Sequence, residues 1–563
     1  MTKNKLFYIF LFVGIISIAN SSCKKSSLQV GDPNDATLTG NVSNETGLLE
    51  FAEGGVYQNG FVNGDGWLGD SYFSLPYGYH ELMSDNIGAD ASNNQITTVG
   101  YPTYYILDNL TKITPNTSTP TPQIAVLRQY NVLGGSGNNP MYFQWQNMYA
   151  LNAACNEILS VAPSIKLGGD ATTRLNTITA WCYWWKGYAY SQIGSMYFSG
   201  LIQDDPLNHT NNHYLPKDSI LARSNYYLSQ AASILSGITN TGDYNTELSS
   251  MIPAASQYDH GGIPTPTMWV HNINTLMARN IICNKLAPFV NGNPAATITK
   301  SSTGNMQAAD WQQVISLATN GIQPGDVVFD AHSTATNTIF SATGGTAAAM
   351  TTGNNISVTF KIGVRYLQCF TAGDKRLTTD FNTASIYNNP FYGTPFNITD
   401  SLQQSTTGVY VIGSTQIGQY EAYIAGSYEE NALMLAEANI RSGNIDPGLA
   451  FVDAVRAYQG AGVAAVSGKG LTLAQAMTQL TNESRVALFS RGLSFYNSRR
   501  WGWIYDISNG GGQYAQRLYN ADGTYNVNVT IDYNFMDYWD IPADETQLNA
   551  PGTGSSPVTN PNY

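Results

Sequence analysis

The amino-acid sequence predicts a mostly α fold in which about eight helices, arranged as about four pairs, scaffold a loop-rich part that faces a ligand. Three observations lead there. Apolar and aromatic residues recur at spacings of three and four over runs of helical length, which is the period of a buried helix face. Gly, Pro and Asn breaks separate these runs, so that helices follow one another closely. Elsewhere, long Gly-, Thr- and Asn-rich stretches lack any helical period and read as loops. The 563 residues are 43% hydrophobic, enough for large cores, yet only 12% charged and rich in Tyr. Such a chain has a neutral, polar and aromatic surface.

The first element is a leader. Lys3 and Lys5 form a basic start, Leu6 to Ala19 an apolar run, and the small Ser21 and Ser22 precede Cys23. That order is a secretory signal over residues 1–22, and its apolar run is short for a bilayer-spanning helix. Small residues directly before a cysteine resemble a bacterial lipobox, whose thiol receives a diacylglyceryl group. Cys23 is therefore the expected lipidation site, with ordinary cleavage nearby as the alternative. Asn20 departs from the pattern, since an aliphatic residue is usual there. Residues 23–45, rich in Ser, Gly, Asp, Asn and Thr, read as a flexible tether. Residues 46–563 are then the folded domain, with an N-terminal helical and ligand-loop part to about 325 and a C-terminal part from about 326.

Met141 to Ala162 places Trp145, Met148, Tyr149 and Asn152 at three- and four-residue spacing, and Arg174 to Phe198 is aromatic on nearly every face. A Gly-Gly-Asp break joins the two into a buried hairpin. "ARSNYYLSQAASILSG" and "MWVHNINTLMARNIICNKLAPFV" suggest a second hairpin, and "DWQQVISLATNGI" a further helix. "SYEENALMLAEANIRSG", "GLAFVDAVRAYQ" and "TLAQAMTQLTNESRVALFSRGLSFYNSRR" make another group. The Trp-x-Gly-Tyr-Ala element at Trp185 to Ala189 and the small Ala432, Ala436 and Ala438 are similar to tetratricopeptide helices without their strict spacing. Between Val327 and Tyr420, "ISVTFKIGV" and "GVYVIG" alternate as short strands would, and the tail after Ile507 reads as loop.

A formal net charge of −13 disfavours nucleic acid, whose phosphates need a basic footprint. The sequence holds no HExxH, GxSxG, Walker-type Gly-Lys-Ser/Thr or helix-opening GxGxxG, so no catalytic residue and no cofactor is assigned. His209 and His213 are four apart in loop-like text, and "NGDGWLGD" puts Trp67 where a calcium loop needs an oxygen, so neither is assigned as a metal site. Cys155, Cys182, Cys283 and Cys369 lack CxxC spacing and read as buried thiols, with disulfides as the alternative in an exported chain.

Aromatics in loops carry the binding signal. Helix aromatics such as Trp184 and Trp185 are explained as core, whereas those flanked by Gly, Pro and Asn are not. "GWLGDSYFSLPYGY" offers Trp67, Tyr72, Phe73 and Tyr77, and "VGYPTYYILDN" offers Tyr101, Tyr104, Tyr105 and Asn109. An aromatic face packs on the C–H groups of a pyranose while amides and carboxylates take its hydroxyls. Trp67, Tyr72, Tyr101, Tyr104, Tyr105 and Asn109 are therefore the candidate ligand-binding residues, with ordinary loop packing as the alternative.

Four arginines gather in "NESRVALFSRGLSFYNSRRWGW", Asn482 to Trp503, within a chain that elsewhere avoids charge. Other marked stretches accompany it: Cys23, "ELMSDN" (Glu81 to Asn86), the aromatic helix pair, "LMLAEANIRSGNIDPGLAFVDAVR" (Leu433 to Arg456) and the closing "IPADETQLNA" and "TNPNY". In this order they resemble the SusD/RagB nutrient-binding outer-membrane lipoproteins of Bacteroidetes over essentially the whole chain. Glu483, Arg485, Gly492, Arg500, Trp501 and Gly502 match that family's arginine-bearing helix ending in Arg-Trp-Gly. The resemblance implies a SusD-like fold and binding without turnover. It implies capture of an oligosaccharide, or in some members a peptide, for a SusC-like, TonB-dependent outer-membrane transporter. It also implies lipid anchoring at the outer membrane, facing the cell exterior. A structural lid without its own affinity and a hydrolase are the rival readings.

Arginine forms planar two-pronged pairs that tolerate burial. Glu483, Arg485, Arg500 and Trp501 are accordingly expected to be structural. Glu429, Glu437 and Glu483 would offer carboxylates to Arg441, Arg456, Arg485, Arg499 and Arg500, and an anionic ligand is the alternative.

Overall fold

Local chemistry sets the helix ends. The computed structural model describes residues 42–54, 76–89, 95–114, 123–135, 138–206, 211–253, 257, 261–287, 304–331, 360–381, 386–388, 397–399, 422–519 and 524–563. Helices of twelve or more residues carry the body: α1 (Pro140–Val161), α2 (Ala171–Met196), α3 (Lys217–Ser236), α4 (Pro266–Ile282), α5 (Ala308–Thr319), α6 (Tyr428–Arg441), α7 (Ile445–Tyr458) and α8 (Leu473–Ala487). Side chains cap their first turns: Asn139 accepts from the Met141 N–H, Asp170 from Thr172 and Thr173, Thr265 from Met268, and Ser427 from Glu430. Thr472 and Gln475 form a reciprocal capping box on α8.

The mostly α expectation stands, and all eight helices fall in runs read from the sequence. Each packs on the next in chain order, from α1 on α2 through α7 on α8. They begin at unequal intervals, at Pro140, Ala171, Lys217, Pro266 and Ala308, so no fixed tetratricopeptide period is kept. Helix α2 lies at the centre of its half. Trp181, Trp184 and Trp185 are fully buried, and Trp181 meets both Trp269 of α4 and Phe329 edge-on. Gly187 permits the close approach of α3: a Cβ there would stand 2.7 Å from the Leu228 side chain. Any larger residue would force the two helices apart.

Three details differ from expectation. A short helix, Thr241–Ser249, sits between α3 and α4, although those two still pack together. The run from Thr472 to Arg500 is two helices, because Ser490 and Gly492 take left-handed φ of 57° and 68° before a helix resumes at Ser494–Arg500. The tail after Ile507, read as loop, holds two strands and a short helix. Gln513–Tyr519 pairs with Tyr525–Asp532, which pairs in turn with Tyr104–Ile106 and through it with Lys112–Ile113, all antiparallel. Val529 and Ile531 point inward while Asn528 and Thr530 do not, a period of two that the interleaved Asn and Thr disguise as turn text. A second sheet joins Ile87–Ala89, Phe360–Gly363, Asn397–Thr399 and Ile386–Asn388 in that order. Its strand Phe360–Gly363 lies in the expected "ISVTFKIGV", whereas "GVYVIG" lies outside the described residues. Among the described residues Val42 is already buried, and Asn44 caps the helix Glu45–Phe51.

Candidate ligand-binding site

The two sheets are tied to the helical body by buried charge. "ELMSDN" is a short helix, Gly78–Met83, followed by a turn in which Asp85 takes a left-handed φ of 61°. Asp85 receives a two-pronged contact from Arg365, with Nη2 to Oδ1 at 2.5 Å, and accepts the Tyr533 hydroxyl at 2.6 Å. Arg485 donates Nε to Asn86 Oδ1 at 2.9 Å and Nη2 to the carbonyls of Ser84 and Asp85 at 3.3 and 3.2 Å. Glu81 receives Asn86 Nδ2 and Ser494 Oγ, both at 2.7 Å, and the Ser490 N–H at 3.0 Å, which holds Ser490 in its strained turn. Burial pushes the Glu81 carboxyl up to about 7, although the hydrogen bonds from Asn86 and Ser494 pull it down.

Two stretches about 400 residues apart thus lock together, and with them the roots of strands Ile87–Ala89, Phe360–Gly363, Gln513–Tyr519 and Tyr525–Asp532. Arginines of the Asn482 to Trp503 stretch are engaged in this framework. Glu437 lies between Arg441 Nε at 2.8 Å and Arg500 Nη2 at 2.6 Å, and accepts from Trp501 Nε1 at 3.4 Å. Burial opposes its charge, but Arg500 and Arg441 outweigh that and hold its carboxyl down to about 2. Glu483, Arg485, Arg500 and Trp501, expected to be structural, are all buried here, but not every arginine of the cluster takes a carboxylate. Glu483 pairs with Arg376 at 2.7 Å and Arg456 at 2.8 Å, not with Arg485. Residues two apart on a helix do not face each other. Among the described residues Arg499 takes no carboxylate and donates instead to the carbonyls of Ser195, Asp537 and Cys283.

The expected binding residues divide. Trp67 and Tyr72, with "NGDGWLGD", lie outside the described residues. Tyr101 and Tyr105 are core residues, 4% and 1% exposed, and cannot face a ligand. Tyr77 is buried too, donating its hydroxyl to the Tyr423 carbonyl at 3.1 Å. The physical reason is the strand: Tyr104–Ile106 is paired, not loop, so Tyr105 turns inward and Tyr104 outward. Tyr104 is half-buried with Lys112 Nζ 3.4 Å from its ring centre. Burial, then the carboxylates of Asp532 and Asp506, push its hydroxyl upward, and Tyr514 lies within the same electrostatic reach. Asn109 is exposed, but its Oδ1 accepts the Thr111 N–H at 3.0 Å and closes its own turn. Tyr514, 44% exposed on strand Gln513–Tyr519, was not among the expected residues, because only its pairing with Tyr525–Asp532 brings it to the sheet that holds Tyr104. This sheet therefore offers the half-buried Tyr104 ring with the Lys112 ammonium against it and the more exposed Tyr514 ring, groups suited to a flat ligand with polar edges.

Cys155, Cys182, Cys283 and Cys369 are buried free thiols. Among the described residues no three His, Cys, Asp or Glu side chains form a metal-ligating group, and His209 lies outside them.

No family model matches the chain, and no curated protein matches it in sequence. Solved structures match it in fold. A SusD superfamily protein from Parabacteroides distasonis ATCC 8503 superposes with a TM-score of 0.53 at 12% identity, covering 91% of this chain and 98% of that one. A crystal structure determined with xylogluco-oligosaccharide gives a TM-score of 0.52 at 12% identity, over 91% of this chain and 99% of that one. At such identity the agreement lies in the path of the backbone, and the chain has the SusD-like fold.

Proposed function

We propose that this chain is a non-catalytic, lipid-anchored binding protein of the outer membrane, facing the cell exterior, that captures oligosaccharides and passes them to a TonB-dependent transporter. The observation that carries the reading is the fold: over most of its length the backbone follows that of a protein solved with xylogluco-oligosaccharide. The sequence supports the anchor through the basic start, the apolar run and Cys23. The tyrosine rings of Tyr104 and Tyr514 support a saccharide platform, to which Trp67, Tyr72 and Asn109 would contribute. The arginines support it indirectly, since Glu437, Glu483 and Asp85 already engage Arg500, Arg456 and Arg365 and leave them unavailable as an anion cradle.

A glycan array probed with the mature protein, together with affinity purification from solubilised outer membranes, tests the proposal. Binding to neutral oligosaccharides and recovery of a β-barrel transporter are expected. Binding to peptides only, or recovery of a Cys23-unmodified soluble periplasmic protein, refutes it.

A further inference from the structure

We propose that the cleft between α1 and the C-terminal helix Ala543–Leu548 is a second binding site, for a single hydroxyl-rich saccharide unit. The cleft has a volume of about 450 Å³, within the range of small-molecule sites. It is built from elements other than those bearing Tyr104 and Tyr514.

Its floor is fixed in advance. Lys186 is fully buried and donates to Asn152 Oδ1 at 2.9 Å and to Asn156 Oδ1, while pairing with Asp204 at 3.1 Å. The amide nitrogens of Asn152 and Asn156 donate to the Gln203 carbonyl at 2.6 and 2.9 Å. The Tyr149 hydroxyl donates to the Leu201 carbonyl at 2.9 Å and accepts the Leu201 N–H at 2.6 Å. A floor held this way loses little freedom when a ligand arrives.

Other groups lining the cleft remain open. Among the described residues, the Gln203 side-chain amide, the Asp205 carboxylate, Asn549 Oδ1 and Asp544 Oδ2 have no hydrogen-bond partner. Glu545 is partly engaged, accepting from Trp145, Tyr214 and Asn549. Among the described residues the lining thus holds the carboxylates of Asp205, Asp544 and Glu545 and no Lys, Arg or His. An anion is repelled from such a site, and a ligand that donates hydrogen bonds is favoured. Leu201 and Leu548, the latter 80% exposed, supply an apolar wall. A pyranose presents both surfaces, hydroxyl donors along its edge and C–H groups on its face. An ammonium group would satisfy the carboxylates but leave the wall unused.

Ligand-observed NMR on the full mature chain tests this in a Tyr104→Ala/Tyr514→Ala background, so that the sheet face cannot contribute. The probes are glucose, galactose, mannose and xylose, with lysine amide as the ammonium control and glucuronate as the anion control, each to about 100 mM, beyond the millimolar range of a weak one-sugar site. At least one neutral sugar should bind. Asp205→Ala should weaken it about tenfold, Ala153→Trp, which fills the cleft, should abolish it, and the exposed Leu548→Ala should weaken it with an unchanged melt. The proposal is overturned if no neutral sugar binds, if only lysine amide or glucuronate binds, or if sugar binding survives both Ala153→Trp and Leu548→Ala. Any of these leaves the function proposed for the sheet face standing.

Discussion

Glu437 is the carboxylate on which the arginine cluster turns, and Glu437→Gln should show it. The side chain is 1% exposed, carries Arg441 and Arg500 within 2.8 Å, and has its carboxyl held at about 2 instead of the ordinary 4.5. A depression of about 2.5 units, at about 1.36 kcal/mol each, corresponds to roughly 3 kcal/mol of folding free energy. Removing one member of a buried pair costs about 3–5 kcal/mol by mutational precedent, which agrees. The sign follows from the folded value lying below the unfolded one. The contribution is complete above pH 4.5 and is lost as pH falls through about 2. Urea unfolding followed by tryptophan fluorescence should therefore place the variant about 3 kcal/mol below the parent at pH 7. The gap should narrow to less than about half by pH 3, because the carboxylate of the unfolded parent is protonated there and folding must release that proton. Equal midpoints at pH 7 would show that the two guanidiniums do not depend on this carboxylate, and a gap independent of pH would show that its charge is not what is lost.

Other perturbations test the rest of the framework. Arg485→Ala removes the donors to Ser84, Asp85 and Asn86 and should cost at least ~1.5–3 kcal/mol; a melt unchanged within error by calorimetry refutes its anchoring role. Glu81, raised to about 7, is protonated more readily in the folded chain, so its contribution is complete below pH 4.5 and is lost as pH rises through 7. Glu81→Gln should flatten the fall in stability across that window, and an unaltered pH profile would contradict it. Tyr104→Ala should weaken oligosaccharide binding about tenfold to a hundredfold with the melt intact, while Tyr105→Ala should cost about 3–5 kcal/mol of stability. The reverse pattern in calorimetry would mean that the alternation along strand Tyr104–Ile106 has been read the wrong way round.

The sequence by itself determined roughly where the long helices run, because a 3.6-residue period is a local property. The spacing from Trp145 to Asn152 is legible without any partner. It also showed that arginine gathers in Asn482 to Trp503 of a chain otherwise poor in charge. Tertiary structure alone decided who pairs with whom. Glu483 and Arg485 are near neighbours in sequence but point to different sides of α8, so Glu483 meets Arg376 and Arg456 while Arg485 reaches the turn at Asp85. Tyr104 and Tyr105 read alike as loop aromatics, and only pairing with Tyr525–Asp532, more than 400 residues away, sends one outward and the other into the core. The tail was illegible for the same reason, since a strand of alternating Asn and Val has no identity until another strand takes its hydrogen bonds.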